Sequence, residues 1–246
     1  MRNLIVIAST IVAFVAAPAA ARDASFVSAD QTRALQILPA PAANDSERTK
    51  AELEELHRVE TTRTAAETAQ AVEDDRNEHI FVFKTVFGDA FSAEKLPGVA
   101  AFGKRVKNDE GVNSAAAKAG FHRVRPYNLD RTLHPVCAVK TKDDSYPSGH
   151  ATSGYLLALN LVDMVPEKRD EILARADAYA WNRVICGVHY SSDLLASKLL
   201  AYSIHAIMTQ NPRHREEMAI ARTELRTFLG LPDAEAASPP APRANH

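Results

Sequence analysis

Glycine is scarce in this chain, nine in 246 residues, and none of it falls in a G-x-G-x-x-G or G-x-x-x-x-G-K pattern. That excludes the usual backbone cradles for dinucleotides and nucleoside triphosphates. Cysteine is scarcer still, with two residues, too few for a disulfide-dense scaffold or a four-thiolate zinc site. Neither sign of charge dominates: 29 basic against 31 acidic side chains leave a net charge of −2. This argues against a nucleic-acid-binding surface spread over the whole chain but allows a local cationic pocket. Long hydrophobic runs are also missing. Leu4 to Ala17 stops short of the roughly 20 residues that span a bilayer, and Asp163, Lys198 and His205 interrupt the later candidates. With 46% hydrophobic residues, the remaining class is a globular domain with a substantial core.

Residues 1–21 read as a signal peptide: Arg2 supplies the positive start, the apolar run follows, and Ala19-Ala20-Ala21 offers small residues for cleavage. An exported, periplasmic protein with no membrane span is the expectation. Residues 22–45, with Leu38-Pro39-Ala40-Pro41, read as an extended arm. A single folded domain is expected over 46–232, and the Pro-containing tail 233–246 reads as disordered. Ser46 to Glu78 fits one long helix or a broken pair, and His79 to Phe83 fits a strand or a buried helix. Pro97 to Asn113 predicts a helix with Lys104, Arg105 and Lys107 exposed. Ser114 would then cap a second helix that Pro126 ends. Apolar periodicity predicts further helices from Ala151 to Val165, from Pro166 onward, from Ser191 or Ser192 to Thr209, and from Pro212 to Phe228. The class is all-α, a single helical-bundle domain.

Three clusters carry chemistry. In Lys118-x6-Arg125-Pro126 the two cations stand two helical turns apart, on one face and about 10 Å apart along the axis if the helix runs through both. Taken alone, a solvated basic face explains them as well. Pro147-Ser148-Gly149-His150 precedes an apolar helix, so it is either a well-capped start or an anion site built from Ser148, Gly149 and free N–H groups. In Arg183-x5-His189-x3-Asp193 the last two residues stand four apart. On a helix the carboxylate would hold the imidazole's tautomer, as a structural pair or as an oriented nucleophile or base.

The specified positions occur in order, and each is matched by chance only about one time in twenty on average usage. The order K-x6-R-P, P-S-G-H, R-x5-H-x3-D resembles the signature of the type 2 phosphatidic acid phosphatase (PAP2) superfamily, which also includes the vanadium haloperoxidases. Asp144 to His150 and Arg183 to His189 are similar to the bacterial class A non-specific acid phosphatases. Asn182 stands where that family has Ser; Asn still carries a donor, so the phosphate pocket is expected to survive. The resemblance implies a metal-independent acid phosphatase acting on small organic phosphate monoesters, without a cofactor, and a homo-oligomer. It further implies that Lys118, Arg125, Ser148, Gly149 and Arg183 bind phosphate. His189 would be the nucleophile, Asp193 its orienter, and His150 the acid and then the base. The alternative is a vanadate-dependent haloperoxidase using the same pocket. Cys137 and Cys186 are either bridged, as suits an exported chain, or two buried thiols.

Overall fold

The computed structural model describes residues 23–140 and 143–232; the segments read as signal peptide (1–21) and tail (233–246) lie outside them. Among the described residues the regular structure is entirely helical, and no helix is long and apolar enough to cross a membrane. The order is α1 (Ala29–Thr32), α2 (Ala34–Ile37), α3 (Glu47–Thr62), α4 (Ala65–Arg76), a 3-10 turn Ile80–Phe83, α5 (Lys84–Phe87), α6 (Pro97–Phe121) and α7 (Pro126–Leu129). A loop then leads to α8 (Gly149–Met164), a 3-10 turn Pro166–Lys168, α9 (Arg169–Ile185), α10 (Ser191–Met208) and α11 (Pro212–Phe228).

Helix α8 is the axis of the bundle, packed by α6, α9, α10 and α11. Its sequence is mostly apolar or small, which suits a helix enclosed by neighbours, and Leu156, Leu157, Ala158, Leu161 and Met164 are all buried. Gly154 sets the α8–α9 approach: a Cβ there would stand 2.6 Å from Cδ1 of Tyr179. The helix starts follow local chemistry. Ser46, Thr64 and Asn211 each accept a first-turn N–H, and Thr64 with Glu67 completes a capping box that resolves residues 46–78 into a broken pair. His79 to Phe83 is neither strand nor α-helix; its apolar residues turn inward through the 3-10 turn.

Three sequence expectations are corrected. Ser114 caps nothing: α6 runs unbroken across it, and Ser114 is buried inside that helix. Its neighbour Asn113 is held within the helix, its amide donating back to the i−4 carbonyl of Asp109 (2.7 Å) and across to the carbonyl of Val27 (3.0 Å). Pro126 does not end a helix but opens α7 at its first position. Finally, residues 22–45 are not a free extended arm. They hold α1 and α2, and Phe26 and Val27 are buried in the core.

The anchor for that segment is Asp109 on α6. Its carboxylate accepts the backbone N–H groups of Ser25 (2.5 Å), Phe26 (2.8 Å) and Val27 (2.9 Å). Burial nevertheless pushes its pKa up, against those three hydrogen bonds. Asp109→Ala strands three donors and should cost about 3 kcal/mol of stability in urea unfolding. A loss within about 0.5 kcal/mol would show that apolar packing of Phe26 and Val27 alone holds the segment.

Candidate active site

The start of α8 is built from Ser148, Gly149 and His150. Ser148 is the N-cap, its Oγ accepting from Ala151 N–H (3.4 Å), while its own N–H donates to Ser197 Oγ (2.9 Å). The helix therefore presents first-turn N–H groups and the positive end of its dipole to one cavity of about 310 Å³. His150 lies on its rim, stacked on Tyr179 with ring centroids 6.3 Å apart. Its Nε2 is 3.1 Å from the carbonyl of Asp75, which can only accept, so Nε2 carries hydrogen and Nδ1 is the titrating atom. Nδ1 stands 4.0 Å from a Glu78 carboxylate oxygen. Burial and then Arg183 hold the His150 pKa down, to about 4, against Glu78 and Asp75.

His189 lines the same cavity. It does not lie on a helix with Asp193, as the spacing suggested. It sits in the turn after α9, where Gly187 takes φ 75°, just ahead of the Tyr190 N-cap of α10. The pairing survives because Asp193 is in the first turn of α10: its Oδ2 lies 3.0 Å from His189 Nδ1. The same oxygen accepts Ser145 Oγ (2.6 Å) and Tyr190 N–H (3.1 Å), and Oδ1 accepts Arg123 Nη1 (2.7 Å). On the ring's other side Arg125 Nη1 is 3.2 Å from Nε2. A guanidinium only donates, so Nε2 holds the lone pair and Nδ1 the hydrogen. Burial, reinforced by Arg125, Lys118 and Arg183, holds the imidazole far below its ordinary pKa. Burial also pushes Asp193 up, opposed by Arg123.

Three cations complete the cavity. Lys118 and Arg125 do not share a helix face: α6 ends at Phe121, His122 turns left-handed with φ 49°, and Arg125 is the extended N-cap of α7. The loop brings them together regardless. Lys118 Nζ donates to the Asp144 carbonyl, Arg125 Nε to the Asp144 carboxylate (2.7 Å), and Arg125 Nη1 to the Val188 carbonyl (3.1 Å). Burial, then Arg125, lowers Lys118 to about 8. Arg183 arrives from α9, its Nη1 2.7 Å from Asp75 Oδ1. Lys118, Arg125, Gly149, His150, Arg183 and His189 line one cavity, while Ser148 and Asp193 are buried behind it.

Several residues of the site escaped the sequence reading. Lys107, expected on an exposed face, lines the cavity and pairs with Glu78 at 2.9 Å, and Asp75, Glu78, Glu110 and Lys140 line it too. Arg105, also expected exposed, is half-buried and pairs with Glu217. Arg123 is two residues before Arg125 in extended backbone, a spacing that puts both on one side, and that was the available signal. Asn182 does not face the cavity: its amide donates to Asp74 (2.7 Å), which also holds Arg175 (2.7 Å), so it fastens α4 to α9. Cys137 and Cys186 are disulfide-bonded with Cα atoms 5.2 Å apart, tying the loop ahead of α8 to the end of α9. With Asp75 they bring three ligand-type atoms within 4.8 Å. A disulfide offers no thiolate, however, and the Asp75 carboxylate is taken by Arg183.

Residues 109–217 match the PAP2 superfamily. An acid phosphatase from Zymomonas mobilis is 35% identical over 147 residues, 56% of this chain and 55% of its own length. The chain thus spans little more than half of that relative. A non-specific acid phosphatase from Salmonella typhimurium is 30% identical over 197 residues, covering 76% of this chain and 78% of that one. Among solved structures, a transmembrane PAP2-type phosphatidylglycerolphosphate phosphatase from Bacillus subtilis superposes with a TM-score of 0.47 at 16% identity, over 68% of this chain and 87% of the other.

Arg123 is enclosed between Asp193 and Glu52, each at 2.7 Å, and caps the Tyr190 ring at 3.9 Å. Arg123→Ala leaves two carboxylates without their cation, one of them fully buried, and should cost about 3–5 kcal/mol in denaturant unfolding. A loss under about 1 kcal/mol would mean the network relaxes to bring in water.

Proposed function

We propose that this chain, which belongs to the PAP2 superfamily and within it to the non-specific acid phosphatases, hydrolyses small organic phosphate monoesters through a phosphohistidine on His189. The observation that carries the reading is the polarity of that imidazole. The Nδ1–H donates to Asp193, and the Nε2 lone pair points toward Arg125 in the cationic cavity. A neutral, oriented ring nitrogen among fixed donors is a nucleophile held against its electrophile.

In this reading Lys118, Arg125 and Arg183 surround the phosphoryl group, and the first N–H groups of α8 add hydrogen bonds. Stabilising charge on the phosphoryl oxygens is most of what phosphoryl transfer asks of a protein. Nε2 of His189 forms the P–N bond as the P–O bond to the alcohol breaks, and His150 gives the leaving oxygen its proton. His150 then takes a proton from water, whose oxygen displaces Nε2 and releases inorganic phosphate. The positive charge that a divalent metal would bring is supplied by the three side chains, so metal independence belongs to the same proposal. The signal peptide read at residues 1–21 makes the periplasm the proposed location.

The test is p-nitrophenyl phosphate hydrolysis in EDTA, run beside halide oxidation with added vanadate. Hydrolysis is expected, with His189→Ala losing at least about 10³-fold in kcat. Peroxide-dependent halide oxidation without hydrolysis would support the haloperoxidase alternative instead, and a requirement for a divalent ion would contradict metal independence.

The pH profile separates the two histidines. His189 is held far below its ordinary pKa and stays neutral well into the acid range, so its limb lies low and the maximum should fall below neutrality. His150 is held to about 4 in the free protein, but a bound phosphoryl anion beside it favours its protonated form. The alkaline limb of kcat, set in the complex, should therefore lie at higher pH than that of kcat/KM, set in the free enzyme. Coincident limbs would remove His150 from the acid role.

A further inference from the structure

Glu110 is a buried carboxyl in the cavity that the mechanism above leaves unused. It is 3% exposed, yet it lines the cavity itself, and its Oε1 lies 3.3 Å from where a Cβ on Gly149 would stand. It is thus beside the first turn of α8, where the phosphoryl group is proposed to sit. The other two carboxylates of the cavity wall each have a cation, Asp75 with Arg183 at 2.7 Å and Glu78 with Lys107 at 2.9 Å. Among the described residues no cation comes within 4.0 Å of the Glu110 carboxylate. Lys118, one helical stretch further along α6, turns its ammonium to the Asp144 carbonyl instead. A buried carboxyl without an ion pair is costly to keep ionised, and a phosphoryl anion bound alongside would raise that cost. One proton between the two removes the repulsion and converts it into a hydrogen bond.

We propose that Glu110 is an additional phosphoryl-binding residue, holding substrate through a single proton shared between its carboxyl group and a phosphoryl oxygen. This rests on the placement of phosphate argued above. The groups facing Glu110 are Lys107 and Lys118 on its own helix, Glu78 from the segment after α4, and His150 and the α8 amides across the cavity. Burial first and Glu78 second push its pKa up to about 7, while a hydrogen bond from the Ser114 hydroxyl, then Lys107 and Lys118, pull it down. The carboxyl therefore carries its proton in the acid range where the enzyme is proposed to work and loses it above neutrality. The signal was invisible in sequence because a glutamate among charged residues on a helix reads as solvated surface.

Inhibition of p-nitrophenyl phosphate hydrolysis by inorganic sulfate tests this, since sulfate remains a dianion throughout and only accepts hydrogen bonds. For wild type, Glu110 alone should weaken sulfate binding about tenfold between about pH 5.5 and about pH 8. In Glu110→Gln the amide keeps a donor and cannot ionise, so the weakening should be shallower by about that factor. Removing this negative charge lowers the pKa of Lys118 and His150, which would steepen the dependence, so flattening isolates the proton of Glu110 itself. Glu110→Ala, with no donor, should bind sulfate about tenfold less tightly than the Gln variant at about pH 5.5. Equal pH dependence in wild type and Glu110→Gln, or equal affinity in the Gln and Ala variants, would overturn the proposal. Should the Gln variant not fold, infrared difference spectra of wild type at about pH 8 replace it. A protonated-carboxyl band gained on adding sulfate supports the shared proton, and no such band refutes it. A wild-type protein that neither hydrolyses phosphate esters nor binds sulfate would instead overturn the phosphatase reading beneath it.

Discussion

The site is organised around one fully buried carboxylate, Asp193, and the donors that make its burial tolerable. Four hydrogen bonds converge on its two oxygens, from His189, Ser145, Tyr190 and Arg123. These come from the turn after α9, the loop ahead of α8, the start of α10 and the extended link after α6. An isolated charge at that depth would be strongly destabilising, and Arg123, itself neutralised on its far side by Glu52, offsets the cost. Satisfying Asp193 thus fixes three irregular segments relative to one another. It also orients the His189 ring, so the demand that holds the loops in place selects the chemically useful tautomer.

A second constraint works against the first. The cations that suit a phosphoryl group also raise the cost of charging either histidine, and burial adds to it. Both imidazoles lie below their ordinary range. The three cations proposed to bind phosphate are each held by a carboxylate or carbonyl, Arg125 and Lys118 by Asp144 and Arg183 by Asp75. Their donors therefore stay aimed without being free to collapse, which is what preorganisation requires. Asp75 is used twice, since its carbonyl also positions His150. The end of α4 consequently holds both Arg183 and His150, and Asp74, gripped by Arg175 and Asn182, fastens that end to α9.

Legibility in the sequence followed the range of the interaction. The helices with strong caps or apolar periodicity, such as Gly149–Met164 and Pro212–Phe228, were readable because their signals are local. The motif residues were readable as a set, although the geometry inferred from spacing was wrong in two places. His122 adopts a left-handed conformation that a non-glycine residue does not advertise, so Lys118 and Arg125 meet around a bend and not along a helix. His189 stands outside α10, so its four-residue spacing to Asp193 spans a cap instead of a turn. Residues such as Arg123, Glu52 and Lys107 depend on partners 29 to 71 positions away. On their own segments they are indistinguishable from solvated charges, which is why the supporting shell stayed hidden while the motifs did not.

Because Nδ1 of His189 carries the hydrogen donated to Asp193, only Nε2 has a lone pair to offer the phosphoryl group, and the atom modified is therefore the sharpest test. The covalent intermediate can be trapped by rapid quench from a substrate with a good leaving group, then mapped by peptide sequencing and by phosphorus–nitrogen coupling in NMR. Phosphate on Nε2 of His189 is the expected result. Phosphate on Nδ1, on His150 or on any other side chain, or burst kinetics without a covalent phosphate, would contradict transfer through His189.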